Sequence, residues 1–357
     1  MNPFELILFW LPVLAGLIFI FLPRRLRKAS LFMAYVITIL VFIFQIIIFI
    51  QRPHLGRHFQ IDNLNGFILI FTGLFTLLTV IYSSSYFSSK ISIFCGYVLL
   101  TLGVSNFTVL TNNLLLLLAG WGFLGAIFYL LINFSSPQSA ASGKKAFIIL
   151  GGADAFLLFG IAILWKLTNS FDFDKISSLL PALKNYSGLI NISLICFLVA
   201  SFAKAGAFPL HTWLIEISDT TSIPTMAYIP ASLDKLLGIY LLTRALLDIF
   251  KVSASHWVSL FLVSLGAFTI IVGVMMALVQ HNVKRLLSYH AVSQVGYMIL
   301  GIGTLNPIGI LGGLFHMLNN AVYKSCLFLS AGNVEKRTNT LELSDLGGLS
   351  KLIRNKR

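Results

Sequence analysis

Charged residues are scarce in this chain, 10% of 357, where an average soluble domain carries about 25%. Hydrophobic residues make up 57%, and mean hydropathy is +0.91. No soluble fold hides that much apolar surface. A water-soluble enzyme or binding domain is therefore excluded, and the class is an all-α polytopic membrane helix bundle. Cysteine is also rare. Cys95, Cys196 and Cys326 lie in apolar runs at unrelated spacings. That excludes a disulfide framework and a cysteine metal motif, and marks all three as small core residues. Neither a nucleotide-binding glycine loop nor a matched histidine pair for haem is present, so no cofactor and no metal are expected. The opening "MNPFELILFW" lacks a basic n-region and a clear cleavage site, and reads as a retained first span. Low-complexity tracts, a repeat at a fixed period and a soluble second domain are lacking too.

What is there in abundance is apolar runs of about 20 residues, the length that crosses a bilayer. They fall at 4–23, 30–51, 64–84, 91–110, 112–134, 145–166, 188–215, 223–246, 255–279, 284–304 and 307–331, which makes eleven spans. The run 188–215 is longer than one membrane thickness and contains Pro209, so it reads as a broken helix.

Acidic residues number 12 against 25 Lys and Arg, a formal net charge of +13. Topology accounts for this excess, and nucleic acid is not needed as a partner. With "RRLRK" at 24–28 in the cytoplasm, that side holds fifteen basic residues, including Lys351, Arg354, Lys356 and Arg357 near the end of the chain. The outer side holds six, Arg57 among them. This bias places the N-terminus outside and, after an odd number of spans, the C-terminus in the cytoplasm. In the outer stretch "FDFDKISSLLPALKNYSG", Ile176, Leu179, Leu180 and Leu183 share a face suited to a short interfacial helix.

Loops leave four basic residues unexplained: Lys204, Lys235, Arg244 and Lys324. Arg244, near a span end, is placed to snorkel to the interface. The three lysines lie deeper, as do Asp154 and Asp234. A charge at the bilayer centre costs about 2.5–3.5 kcal/mol on insertion scales, so these groups must face each other or water. Two readings stand. One is a set of buried ion pairs that lock helices together. The other is a hydrophilic path with lysines as relay groups, since a buried lysine can give up its proton and an arginine cannot. Polar stripes run beside the charges: His316, Asn319, Asn320 and Lys324 on one helix face, and His290, Ser293, Gln294 and Tyr297 on another. At Pro209 the freed backbone groups demand a cavity or a protein neighbour, as in the broken helices of ion transporters.

The stretch "AKAGAFPLHTWL", with His211, resembles the seventh-helix motif of the antiporter-like subunits of respiratory complex I, of membrane-bound hydrogenases and of Mrp antiporters. "HNVKRLLSYHAVSQVGYMILGIG", "FHMLNNAVYKSCLFLSAGNV" and "LSDLGGL" agree in order and spacing, so that the resemblance covers about residues 60–350. It implies two inverted five-helix repeats, each with a broken helix. Lys204 is then a proton-relay residue, Lys324 and His316 belong to a polar axis, and Lys284 occupies a recurrent basic position. On this reading 1–357 is a single transmembrane domain: N-terminal spans at 4–110, a first repeat at 91–246, an incomplete second repeat at 255–331 and a cytoplasmic tail at 332–357.

Departures accompany the resemblance. The family's fifth-helix glutamate is Gly122 here, with Asp154 or Asp234 as candidate substitutes. Counting back from "GIYLLTR", the family's eighth-helix basic places hold Leu236 and Pro230, and Lys235 is one position away, a turn of about 100° on a helix. The family continues past "GGL". Either a second chain supplies the remaining helices, or the product is a truncated or degenerate paralogue. The resemblance implies a proton-translocating subunit of a redox-driven, complex I-like or hydrogenase-like assembly, a subunit of an NADH-quinone oxidoreductase-like translocase without a redox centre of its own. Its partners are other membrane subunits and the lipid bilayer. The alternatives are a sodium/proton antiporter, an inorganic-carbon uptake subunit, and a non-pumping scaffold.

Overall fold

The computed structural model describes residues 3–56, 58–87, 90–134, 136 and 138–349. Arg57, Lys351, Arg354, Lys356 and Arg357 lie outside them. Each expected span is a helix or a pair of helices. A π turn, Leu6–Trp10, opens into α1 (Leu11–Phe21). Then follow α2 (Arg27–Gln51), α3 (Asn63–Tyr86), α4 (Ile91–Leu110), α5 (Leu114–Asn133) and α6 (Ser139–Thr168). The short α7 (Phe173–Leu179) is the expected interfacial helix; Ile176 and Leu180 are buried, whereas Leu179 turns outward. The seventh span is α8 (Ser187–Ala205) followed by α9 (Thr212–Thr220). The eighth joins α10 (Ile223–Tyr228), the π turn Ile229–Leu233, α11 (Asp234–Arg244) and a second π turn, Ala245–Ile249. Last come α12 (Trp257–Leu278), α13 (Val283–Gly303) and α14 (Pro307–Thr338). Seven helices, α2–α6, α8 and α12, are long and apolar enough by themselves to cross a membrane. The others are short or carry the polar stripes.

Side-chain caps set many of the helix starts. Asp62 and Asn65 form a capping box at α3. Asn113, Asn282 and Asn306 accept from first-turn amides of α5, α13 and α14. The break expected around Pro209 runs from Gly206 to His211, and the residue that stops the helix is Gly206. It takes φ +75°, a conformation open to glycine. The amides of Gly206 and Ala207 then turn back to the carbonyls of Ala203 and Phe202, at 3.3 and 2.9 Å. Trp213 Nε1 donates to the Ala203 carbonyl as well, at 2.9 Å, so α9 is tied to the end of α8. Gly238 lets α11 press against this point: a Cβ there would lie 2.5 Å from the Ala205 nitrogen.

Polar contacts join the spans where lipid gives no hydrophobic drive between helices. Gln45 Nε2 donates to Asn106 Oδ1 (2.9 Å), whose own amide donates to the Leu8 carbonyl in the first π turn (3.0 Å). The Tyr228 hydroxyl meets Thr76 at 3.0 Å, and the Tyr240 hydroxyl donates to the Val109 carbonyl at 2.8 Å.

Two stretches repeat one local motif, although the letters show no repeat at a fixed period. After α6 the chain reads "TNSFD", with Asn169 at φ 49°; after α14 it reads "TNTLE", with Asn339 at φ 58°. In the first, the Leu114 amide donates to the Phe171 carbonyl and Asn113 Nδ2 to Asp172 Oδ1. In the second, the Val283 amide donates to the Leu341 carbonyl and Asn282 Nδ2 to Glu342 Oε1. The staples are 169–170 residues apart in the chain. Ser/Thr, Phe/Leu and Asp/Glu exchanges conceal the match in the letters while preserving every bond.

Candidate functional site

Lys204 is the penultimate residue of α8, where the helix dipole favours a cation. It is buried, and its Nζ has no hydrogen-bond partner in the protein. The ammonium instead lies over two aromatic rings of α5, 4.7 Å from the Trp121 centroid and 5.0 Å from that of Phe128. Asp154 and Asp234 are the carboxylates whose charges act on it. Asp154, on α6, interacts with the Trp121 side chain, and its Oδ2 lies 3.6 Å from where a Gly125 Cβ would be. A carboxylate thus reaches the fifth span from the sixth. Gly122 itself is exposed, with nothing within 4 Å of its missing Cβ.

Asp234 and Lys235 form an ion pair at 2.9 Å, and both side chains are fully buried. Lys235 Nζ lies 3.4 Å from the Cβ position of Gly206, so it faces the helix break despite being one place from the expected register. Pro230 sits in the π turn just before, where a wider turn accommodates a residue that cannot donate. The charge of Lys235 reaches Lys324 on α14, whose Nζ donates to the Leu287 carbonyl of α13 at 3.2 Å. His290 on α13 feels both Lys324 and His316. Charge interactions thus link Asp154, Lys204, Asp234–Lys235, Lys324, His290 and His316. Along this line Lys204 Nζ, Asp234 Oδ1, Ser288 Oγ, His290 Nδ1, His316 Nε2 and both amide atoms of Asn320 lack a protein partner. Buried groups of this kind are satisfied by water, so the line is suited to hydration.

Other expected residues lie off it. Lys284 Nζ donates to the Thr221 carbonyl (3.4 Å) and stands 3.8 Å from Glu335, tying α13 to the far end of α14. His211 is half-buried, with Phe208 and Tyr289 as its ring neighbours. Pro209 is exposed in the connecting turn. Asn319 and Tyr297 face outward, so neither polar stripe is wholly internal. On α14, positions 316, 320 and 324 spread over about 80° of the helix, and 319 falls about 100° from their centre. Cys326 is exposed, unlike Cys95 and Cys196. Among the described residues no group of three His, Cys, Asp or Glu side chains could hold a metal ion.

Arg244 does not snorkel. It is 4% exposed, and its Nη1 donates to Asp62 and Asp248, both at 2.7 Å. Burial alone would push the Asp62 carboxyl up, but the Arg244 hydrogen bond and charge outweigh it and hold Asp62 below the usual carboxylate range. The pairing with Asp248, four residues on, was visible as spacing; that with Asp62 was not. Trp121 and Phe128 carried no signal beyond being aromatic in an apolar run.

The family described as NADH:quinone oxidoreductase/Mrp antiporter, TM matches residues 111–356. F(420)H(2) dehydrogenase subunit L of Methanosarcina mazei is 33% identical over 321 residues, 82% of this chain and 47% of that protein. NADH-quinone oxidoreductase subunit N of Desulforudis audaxviator is 30% identical over 307 residues, 84% of this chain and 60% of that one. The chain spans about half the length of the curated relatives it matches. A chain of the membrane-bound sulfane sulfur reductase, an archaeal respiratory membrane complex, superimposes with TM-score 0.84 at 20% identity over 98% of this chain and 74% of that one. For a chain of the Mrp complex from Dietzia sp. the TM-score is 0.81 at 20% identity, over 92% and 38%. At such identity the likeness is one of fold. The match over 111–356, together with 33% identity to a curated relative across 82% of this chain, shows that the chain belongs to the NADH:quinone oxidoreductase/Mrp antiporter transmembrane family.

Proposed function

We propose that this protein is a proton-translocating, antiporter-like subunit of a redox-driven membrane complex and has no redox centre of its own. The observation that carries this is the line of ionisable groups from Asp154 to His316, flanked by buried polar atoms without a hydrogen-bond partner in the protein. Lys204 and Lys324 would be alternately protonated, with Asp234–Lys235 between them. Such a line would couple neighbouring spans and need other subunits to drive it. Those partners are further membrane subunits; the helices that relatives carry in addition would come from the same or a second polypeptide. The basic loops support an N-terminus outside and a cytoplasmic C-terminus.

The experiment purifies the protein with whatever subunits travel with it, reconstitutes the assembly in liposomes, and follows lumenal pH with a dye while electron transfer is started. Protonophore-sensitive acidification or alkalinisation is expected. Electron transfer without any pH change contradicts the proposal. The family also covers Mrp antiporters, and sodium/proton exchange is the second reading. It predicts pH changes on a sodium jump with no electron donor present.

A further inference from the structure

We infer that Trp121 is a positioning residue that holds the Lys204–Asp154 acid–base pair at a set separation, one group on each part of a single indole. The inference rests on the proposed proton relay. The ring face carries the Lys204 ammonium at 4.7 Å, and the Asp154 carboxylate, which interacts with the same indole, reaches this face of α5, its Oδ2 3.6 Å from the Gly125 Cβ position one turn on. Lys204 Nζ makes no hydrogen bond to Asp154 or to any other protein atom, so the indole is what links the two. It can serve so because it is 1% exposed and therefore locked by packing. Phe128, two turns further along the same face of α5, completes the cage around the ammonium. When Lys204 gives its proton to water, the attraction to the ring is lost while the indole N–H keeps the carboxylate in place to take part in the next transfer.

The repeated staple supplies a second, independent observation. The staples relate α5 to α13 by 169 residues and α6 to α14 by 170. Trp121 then corresponds to His290, and Asp154 to Lys324. In the second half His290 faces Lys324. Each half thus places a ring bearing an N–H on its first helix beside an ionisable group on its second. Gly122 leaves the fifth span without its own carboxylate, and Trp121 presents one from α6 in its place.

The test compares Trp121→Phe, which keeps a ring face and removes the N–H, with Trp121→Leu, which removes both. Two readouts are taken on the assembly as purified. One is the infrared carboxyl band of Asp154, assigned by its loss in Asp154→Asn and measured without turnover. The other is the pH profile of transport. Trp121→Phe is expected to move the Asp154 band and to lower transport about tenfold, the loss of one hydrogen bond to a charged group. Trp121→Leu is expected also to move the pH profile by about one unit, because a desolvated cation–π contact is lost. A band unmoved in both variants, or a pH profile unmoved in Trp121→Leu, overturns the inference. If the unmodified assembly moves no protons, the proposed function fails. In that case a shifted band in Trp121→Phe still supports the positioning role, and an unshifted one rejects it.

Discussion

Removing one member of the Asp234–Lys235 pair separates an ion pair that merely locks helices from one that conducts. Both side chains are fully buried, at 2.9 Å from each other. The deep set comprises Lys204, Lys235 and Lys324 against Asp154 and Asp234, three cations to two carboxylates. Asp234→Asn makes it three to one and leaves Lys235 buried without its ion-pair partner. Breaking a buried pair in this way costs about 3–5 kcal/mol. Asp234→Asn and Lys235→Met should therefore each lower the apparent melting temperature in detergent strongly. The double variant Asp234→Leu/Lys235→Met removes both charges and fills the space with apolar side chains of similar length. Replacing a whole buried pair so is neutral to stabilising by about 1–4 kcal/mol, so its melting temperature should return to that of the unmodified protein or exceed it. Transport, followed by dye in liposomes, should stay lost in the double variant. A double variant that is stable and transports normally would refute the relay role of this pair. Single variants as stable as the unmodified protein would refute the buried-pair description itself.

Three further outcomes follow from other parts of the molecule. Gly238→Ala places a methyl 2.5 Å from the Ala205 nitrogen; it should cost about 1–3 kcal/mol and move α11 away from α8, read as a lower melting temperature and weakened transport. Asn113→Ala and Asn282→Ala each remove a helix cap and one arm of a staple; each should cost about 1 kcal/mol, and the two losses should add because the sites share no hydrogen-bond partner. Asp62 is held below the ordinary carboxyl value of 3.8 by Arg244 against the opposing effect of burial. Its contribution to stability is then fully present above about that pH and lost as pH falls through the lower, folded value. Acid titration of melting temperature should show this step, and Asp62→Asn should abolish it; the same step in the variant would assign it elsewhere.

Much of the fold was legible because hydropathy reports span length directly. Each expected apolar run is helical, and the long run around Pro209 is broken. The agent of the break was less visible, since Gly206 acts through a backbone conformation that leaves no mark on composition. The repeats came only with the family resemblance, because the bonds of the repeated staple tolerate Ser for Thr and Asp for Glu and leave no fixed period in the letters. At the site, the deep lysines and aspartates stood out by their cost in lipid, and the helices do bring Lys204, Asp234, Lys235 and Lys324 into one line. Helical spacing alone placed Asn319 with them, although the packing of α14 turns it outward. Trp121 and Asp62 matter through contacts between distant segments, and no local pattern announces those.

The account's central claim is that Lys204 and Lys324 work by giving up protons and not merely by being charged. Lys204→Arg and Lys324→Arg test this most directly, because a guanidinium keeps the charge and cannot release its proton. Measured in liposomes on the intact assembly, with melting temperature as the control for folding, both variants are predicted to fold and to lose proton movement. Normal transport by either folded variant would contradict the claim for that lysine.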